Sequence, residues 1–284
     1  MLGLDLFVIG IFTAAVAAGL VGSLVGLGGG IFIVPLLTIG FGLDIRLAIG
    51  ASIVSVIATS SGAAAAYVRD HLTNVRVGML LELATTTGAV TGAYVAGLIN
   101  TQILFLLFGA ILLLSVLPMI RKLGEDLPRG VEDDAIAARL RLASVYPDKA
   151  LGRRVAYNVT GVPPGMGMMY VAGLVSGLLG IGSGALKVLA MDTAMRLPMK
   201  VSSATSNFMI GVTAAASAFI YYARGDMSPV VTAPTAVGVF LGASLGAHWM
   251  RRTPSRWLII AFAIIVFYFA AFMVWRAAHG GFTR

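Results

Sequence analysis

The residues best suited to bind a ligand surround two glycine runs that interrupt apolar sequence. One run is GLGGG at 26–30, and the other is GIGSG at 180–184. A helix broken by such a run exposes backbone N–H groups, and the helix that restarts after it adds the positive end of its dipole. These two features together predict a cradle for an anion. The residues predicted to form it are Gly28, Gly29, Gly30, Gly182, Ser183 and Gly184.

Two charged residues, Lys187 and Glu82, lie inside apolar segments and could contribute to such a site. Lys187 follows Gly184 by three residues and is predicted to attract the anion as a fixed positive charge. The alternatives are a lysine that reaches the membrane interface or one that pairs with Asp192. Glu82 is the carboxylate within a full-length apolar segment, and we predict that it couples transport to protons. An interfacial position is the alternative for Glu82.

Hydroxyl and amide side chains lie near the start of two apolar segments that correspond to each other in the two halves. Ser52 and Ser55 lie in the first, and Thr205, Ser206 and Asn207 lie in the second. These groups can donate hydrogen bonds to anion oxygens without burying more charge, so they are predicted to contact the substrate. Hydrogen bonds between helices, or to the carbonyl four residues earlier, are the alternative use of such side chains in membrane helices.

The composition predicts a membrane protein that crosses the bilayer several times. The chain has 284 residues, of which 58% are apolar and only 11% charged, with a mean hydropathy of +0.94. Soluble domains carry about twice that share of charge. The net charge of +8 falls mainly in short joints between apolar runs, which favours membrane topology over nucleic-acid binding. The first apolar run contains Asp5 and lacks a basic leader, which predicts a retained first span.

The chain divides into two apolar halves and a hydrophilic linker. Apolar segments occupy 1–120 and 165–284, and most of the acidic residues lie in 121–164. We therefore predict a transmembrane repeat on each side of an extramembrane linker, which contains one amphipathic helix from Glu132 to Leu142. No sequence signal indicates a cofactor or a metal site, and the absence of cysteine excludes thiolate ligands.

The second half repeats the first at a constant offset of 154 residues. GLVGSLVGLGGG from Gly19 falls on GLVSGLLGIGSG from Gly173, and GAVTGA from Gly88 falls on GASLGA from Gly242. The match needs no gap between 19 and 93. Internal duplication is typical of secondary transporters, whose substrate sites lie where the repeats meet near the middle of the membrane.

Each repeat is predicted to contain a helix, a glycine turn and a half-helix, followed by three transmembrane helices. The segment 31–41 would form only about 17 Å of helix, which is half a membrane. Close helix packing through GxxxG spacing is the alternative for the glycine runs and the preferred interpretation for Gly88 with Gly92 and for Gly242 with Gly246.

The basic joints predict a cytoplasmic linker and inverted repeats. Arg196, Lys200, Arg251 and Arg252 share one side with the linker if each glycine hairpin returns to its starting side. Every repeat then crosses the membrane an odd number of times. Counting each glycine-broken segment as one crossing instead gives eight spans and parallel repeats.

The duplicated pattern resembles the sulfite exporter TauE/SafE transporter family. It is carried by GLVGSLVGLGGGIFIVPLL, AIGAS and GAVTGA, which recur after the charged linker, and it covers nearly the whole chain outside that linker. The resemblance implies an exporter of sulfite, sulfoacetate or other sulfonates in the bacterial inner membrane. Two departures are Gly50-Ala51-Ser52, where GTS is expected, and Leu189, which stands opposite Pro35 of the first repeat.

The predicted function is a proton-coupled secondary transporter for small sulfur-containing anions, and not an enzyme. A passive anion channel is the main alternative. An intramembrane serine hydrolase built on Ser183 and His248 is a remote one, because Ser183 corresponds to Gly29 and His248 lies near the end of a span. The predicted partners are the anionic substrate and the lipid bilayer, and the sequence leaves the oligomeric state open.

Overall fold

The protein is a helical bundle with a small hydrophilic insertion. The computed structural model describes residues 2–25, 30–121, 130–148, 152–250 and 255–279, with the backbone alone at 2, 23–25, 116–121, 247–250 and 255–262. Gly28 and Gly29 of the predicted cradle lie outside the described residues.

The first half begins with a long helix, a short broken helix and three more long helices. The elements are α1 (Leu2–Val25), α2 (Gly30–Pro35), a π-helical turn (Leu36–Gly40), α3 (Ile45–Arg69), α4 (Val75–Leu98) and α5 (Thr101–Arg121). Asp44 caps α3 by accepting a hydrogen bond from the Arg46 amide at 2.8 Å, and Asn74 caps α4 through the Val77 amide at 3.1 Å. These caps satisfy amides that a helix start leaves without partners.

The second half has the same order of elements. They are α7 (Val162–Leu179), α8 (Gly184–Thr193), α9 (Met199–Ala223), α10 (Pro229–Met250) and α11 (Ser255–His279). The predicted half-helix is therefore observed in both halves. In the first half, however, it is an α-helical piece followed by the π-helical turn.

The insertion between the halves contains more structure than the single predicted helix. It comprises α6 (Ala135–Leu140) and an antiparallel hairpin of β1 (Ser144–Asp148) and β2 (Arg153–Tyr157). Asp134 caps α6 through the Ala137 amide at 2.7 Å and accepts from the Val162 amide of α7 at 2.8 Å. Burial opposes ionisation of Asp134, yet these backbone donors hold its pKa below its ordinary value.

Five of the described helices are long and apolar enough to cross a membrane. They are Gly3–Gly22, Ile45–Arg69, Val162–Leu179, Met199–Ala223 and Pro229–Gly246. Helix α4 has 24 residues, also enough to span about 30 Å of hydrocarbon, but it contains Arg76 and Glu82. The protein is a multi-pass membrane protein.

The directions of the packed helices follow from their close contacts. Helix α3 runs antiparallel to α9, because Gly50 lies against Asp226 and Gly211 lies against Ser60. Helix α5 runs antiparallel to α11, where Gln102 donates to the Ala277 carbonyl at 2.8 Å.

The pairs α1 with α10 and α4 with α7 run parallel instead. Gly238 lies against Phe12 and Gly242 against Val16, so both chains advance together. In the other pair, Gly173 faces Thr85 and Gly177 faces Ala89. These glycines let the backbones of neighbouring helices touch.

The linker covers one end of the bundle, which we call the linker side. Asn74 Nδ2 donates to the Leu142 carbonyl and to the Tyr157 hydroxyl, both at 2.8 Å. Lys200 Nζ lies 3.0 Å from the Asp148 carboxylate, and the Thr160 amide donates to the Met195 carbonyl. The joint before α4 and the joint before α9 are thus both tied to the linker.

The close approach of α7 to α4 yields a stability prediction. We expect Gly173→Ala to destabilise the protein by about 1–3 kcal/mol, because its Cβ would meet the Thr85 backbone. Gly167→Ala, on the same helix with open space around it, is the matched control and should be neutral. Thermal unfolding in detergent measures both. Equal unfolding temperatures for the two variants would contradict close packing at Gly173.

Candidate functional site

The break between α7 and α8 is formed by left-handed backbone. Gly180, Gly182 and Ser183 have φ values of 67°, 71° and 44°. A side chain at Gly182 would be strained at this φ, and its Cβ would lie 3.0 Å from Ile210 and 3.1 Å from Val56. The turn therefore fits between α3 and α9 only without a side chain. The sequence run predicts this break correctly.

Hydroxyl groups from the surrounding helices satisfy the carbonyls that the break leaves without helical partners. The Tyr221 hydroxyl lies 2.9 Å from the Gly177 carbonyl and 3.1 Å from the Leu178 carbonyl. Ser183 Oγ instead donates to the Ala172 carbonyl inside α7 at 2.7 Å, which ties the turn to that helix. Because an unpaired carbonyl in a membrane interior costs several kcal/mol, these bonds permit a broken helix there.

Ser52 connects the start of α2 in the first half with the α7–α8 turn in the second. Its Oγ lies 3.0 Å from the Gly30 carbonyl and 2.8 Å from the Gly180 carbonyl, and the side chain is fully buried. Ser206 makes the corresponding contact in the second half, with its Oγ 3.2 Å from the Gly184 carbonyl. The start of α2 and the α7–α8 turn therefore lie on either side of one α3 hydroxyl.

Helix α8 begins immediately after the turn and points its amide end at the break. Ser183 occupies the N-cap position with φ 44° and makes no side-chain capping bond within the described part of the chain. The first amides of any helix have no intrahelical acceptor, so those of Gly184, Ala185 and Leu186 can serve an anion.

Lys187 lies one turn into α8 and is completely buried. Its exposure is 0%, and Nζ is 2.6 Å from Thr213 Oγ1 on α9. The side chain therefore does not reach an aqueous interface, which was one alternative from the sequence. A buried ammonium is costly unless a counter-charge and hydrogen bonds compensate it.

The counter-charge is Glu82 on α4, reached through the same threonine. Thr213 Oγ1 is 2.7 Å from Glu82 Oε1, and the Thr86 hydroxyl is 3.0 Å from that oxygen. Glu82 is only 8% exposed, and its Oε2 has no hydrogen-bond partner among the described residues. We call Glu82, Thr213 and Lys187 the charged triad. It joins α4, α9 and α8 and is electrically neutral when both end groups are ionised.

The remaining predicted residues lie near the site but have local partners. Ser55 Oγ donates to the Ala51 carbonyl at 2.8 Å, and Asn207 Nδ2 donates to the Ser203 carbonyl at 2.9 Å. Thr205 Oγ1 accepts from the Asn74 amide at 3.0 Å, so it belongs to the linker side. These bonds match the structural alternative considered for the hydroxyl clusters.

Sequence reasoning missed Thr213, which connects the two charges. Thr205, Met209 and Thr213 recur every four residues on α9, so Thr213 lies on the face of the predicted hydroxyls. Extending the hydroxyl cluster along that face would have found it. Thr86, one turn after Glu82 on α4, was also missed, because its hydroxyl was not considered as a partner of the Glu82 carboxylate.

A second concave region lies at the end of the bundle opposite the linker. It is a cavity of about 310 Å³ between α4 and α9, lined by Tyr94, Leu98, Phe219 and Arg224 among others. The Arg224 guanidinium donates to the Asp226 carboxylate and to the Ala93 carbonyl, both at 2.6 Å. Because Arg224 contacts its carboxylate directly, whereas Lys187 reaches Glu82 only through a threonine, this cavity is a weaker anion site than the charged triad.

The fold and the buried site define a class of protein: a multi-pass helical membrane protein with broken helices meeting in its interior. Residues 11–273 match the family model described as "Sulfite exporter TauE/SafE". The chain therefore belongs to the TauE/SafE family.

The curated relatives are membrane transporters by name. A probable membrane transporter protein, YunE of Bacillus subtilis, is 28% identical over 88% of this chain and 90% of its own. A probable membrane transporter protein of Xylella fastidiosa strain 9a5c is 28% identical over 92% of this chain and 94% of its own. No solved structure matches the chain significantly. The family and these relatives identify a membrane transporter and point away from an enzyme.

The link through Ser52 predicts different effects for two neighbouring serines. We expect Ser52→Ala to lower stability by about 1–2 kcal/mol, because it removes the one hydroxyl hydrogen that the Gly30 and Gly180 carbonyls share. Ser55→Ala, whose hydroxyl returns to its own helix, should change stability little. Thermal unfolding in detergent measures both, and a larger loss for Ser55→Ala would refute the bridging role.

The charged triad predicts strong coupling between its end groups. Glu82→Gln or Lys187→Met alone should cost about 3–5 kcal/mol, because each leaves an uncompensated buried charge. The double variant should lose less than the sum of the two single losses. A double-mutant cycle of unfolding free energies tests this, with additive losses as the contradicting result.

Proposed function

We propose that the protein is a secondary transporter that exports small sulfur-containing anions, namely sulfite, sulfoacetate or other sulfonates, across the bacterial inner membrane. The observation that carries the proposal is the fully buried Lys187 one turn after the start of a broken helix. Because Lys187 reaches its counter-charge Glu82 only through a threonine hydroxyl, its ammonium can bind an external anion, and sulfite is the substrate printed in the family description. Coupling to the proton gradient through Glu82 is part of the proposal.

The site would recognise an anion through three kinds of donor. Lys187 supplies charge, the first amides of α8 supply the positive end of a helix dipole, and Ser52 and Ser206 lie beside the turns. Charged hydrogen bonds of this type are about twice as strong as neutral ones. Gly28, Gly29 and Gly30 of the first glycine run, with Ser55, Thr205 and Asn207, remain members of the proposed site.

We infer that the two halves are inverted repeats. Under the 154-residue offset, α3 corresponds to α9 and α5 to α11, and both pairs run antiparallel. The contact between α1 and α10 corresponds to that between α7 and α4, as a pseudo-two-fold axis requires. Because helices at equivalent positions in the two halves run antiparallel, inverted repeats are favoured over the alternative of eight spans in parallel repeats. Inverted repeats are common in transporters.

The linker is proposed to face the cytoplasm. Arg76, Lys200 and the linker arginines lie at its end of the bundle, whereas Arg46, Arg224 and Arg276 donate to backbone carbonyls near the other end. The excess of basic residues marks the cytoplasmic side. The export direction rests on the family description, because a carrier runs down whichever gradient is larger.

A passive channel remains the alternative to a carrier, and flux kinetics separate them. In proteoliposomes, labelled sulfite, sulfoacetate and taurine should show saturable flux that responds to an imposed pH gradient. Flux that rises linearly with concentration would indicate a channel. Transport of an unrelated solute, with none of any sulfur anion, would overturn the substrate class.

Lys187→Met tests the charge directly. It keeps the apolar stem but removes the cation, so the transport KM should rise about 5- to 150-fold, which corresponds to about 1–3 kcal/mol. Lys187→Arg should retain part of the affinity. Correct insertion is checked by monodispersity in detergent. An unchanged KM in well-inserted Lys187→Met would assign the lysine a structural role.

A further inference from the structure

The charged triad contains an anion of its own where the proposed substrate would have to bind. Glu82 Oε1 reaches Lys187 through a single hydroxyl, with contacts of 2.7 Å and 2.6 Å. A substrate anion and the Glu82 carboxylate therefore compete for one buried ammonium. We propose that Glu82 is the counter-ion that the substrate displaces, and that a proton binds to Glu82 together with the anion, so that both cross the membrane in the same direction. This inference rests on the proposed function.

The preference of a buried site for zero net charge favours binding of the anion and the proton together. The Glu82–Lys187 pair alone has a net charge of zero. A monoanion added by itself makes the site −1, and a proton added by itself makes it +1, and both are strongly disfavoured in an apolar interior. Adding the two together restores zero. The favoured forms are thus the ionised pair and the form that has both ligands.

The structure provides a place for the proton. Glu82 Oε1 already accepts bonds from Thr213 and Thr86, but Oε2 is buried and has no partner among the described residues. A proton on Oε2 would therefore occupy an oxygen to which no other hydrogen is bonded among the described residues. It would also turn Oε2 into a donor that faces the buried interior, able to bond an anion oxygen.

Thr213 can release the link to Glu82 without losing its own hydrogen bond. Its hydroxyl has one hydrogen, and both Glu82 Oε1 and the Met209 carbonyl, at 2.7 Å and 2.8 Å, can accept it. A neutral Glu82 is the weaker acceptor, and the Met209 carbonyl then takes the hydrogen. The hydroxyl therefore stays paired whether or not Glu82 is ionised.

Few other groups can take part in this titration. Among the described residues, Lys187 on α8 is the charged side chain that acts on Glu82, and α9 contributes the neutral Thr213. Helix α7, which packs along α4, contributes Tyr170, whose hydroxyl lies 3.4 Å from Thr91. The proton taken up with an anion is accordingly assigned to Glu82.

Co-transport has a consequence for direction. A monoanion that moves with one proton transfers no net charge, so the membrane potential does not drive it. An inward proton gradient then opposes export, and efflux requires a larger outward gradient of the anion itself. A dianion moving with one proton transfers one negative charge, and an inside-negative potential assists its export.

Proton counting with a fully ionised probe tests the inference. Methanesulfonate stays a monoanion throughout the neutral and alkaline range, so any proton taken up must bind to the protein. Calorimetric titration of the purified full chain in buffers of different ionisation enthalpy gives the protons bound per anion. For the wild type we expect about one at alkaline pH, and a dissociation constant that rises about tenfold per pH unit.

Two variants locate the proton. Glu82→Gln, made in a Lys187→Arg background whose guanidinium cannot lose its proton, should bind methanesulfonate with no proton uptake and with an affinity independent of pH. Asp148→Asn alters the Lys200 pair on the linker side, far from the charged triad, and should keep the wild-type count. Proton release, or no uptake, on wild-type binding would overturn the inference without any variant. Uptake that persists in Glu82→Gln in the Lys187→Arg background would overturn the assignment to Glu82.

The same titration separates this inference from the proposed function. If the wild type binds methanesulfonate or sulfite without proton uptake, only the co-transport fails. If it binds no sulfur anion, the substrate class fails and the co-transport fails with it.

Discussion

The structure depends on satisfying a broken backbone inside an apolar bundle. A helix interior needs no outside partners, but the turn from Gly180 to Ser183 leaves carbonyls that hydrocarbon cannot solvate. Tyr221 and Ser52 donate to carbonyls at the break from α9 and α3, and Ser183 ties the turn back to the Ala172 carbonyl of α7. The broken helices must therefore lie against α3 and α9, which sets the position of every residue in the site.

The two halves share this framework but differ in charge. Ser52 and Ser206 contact Gly30 and Gly184 in the same way, as their 154-residue offset leads one to expect. Thr213 corresponds to Thr59, whose hydroxyl returns to the Ser55 carbonyl. Lys187, however, stands opposite Ile33 in the first half. Among the described residues, the charged triad therefore has no equivalent at the positions related by the 154-residue offset.

Local chemistry made much of the fold predictable. The second glycine run indicates the break between α7 and α8, because repeated glycine is incompatible with a regular helix, and the apolar lengths indicate the long helices. Residues 26–29 of the first run lie outside the described residues. Long-range geometry was not predictable in the same way. Thr213 looks like any membrane threonine until α4 and α8 converge on it, and nothing local distinguishes a Glu82 at the interface from one facing Lys187.

The linker shows the same division between local and long-range information. Its polar composition correctly predicts a segment outside the apolar helices, and Asp134 is a recognisable helix cap. The strands β1 and β2 are short and have mixed polarity, so their sequence lacks the regular alternation of apolar and polar residues that would predict a hairpin. Its contacts with Asn74 and Lys200 depend on the assembled bundle.

The central claim is that Lys187 binds the transported anion, and locating a bound anion tests it most directly. Selenite resembles sulfite and scatters anomalously, so a structure of the full chain soaked with selenite can locate the ion without relying on weak density. The account predicts a selenium peak with oxygens about 2.7–2.9 Å from Lys187 Nζ, beside the start of α8. A peak in the cavity beside Arg224, with none near Lys187, would contradict it.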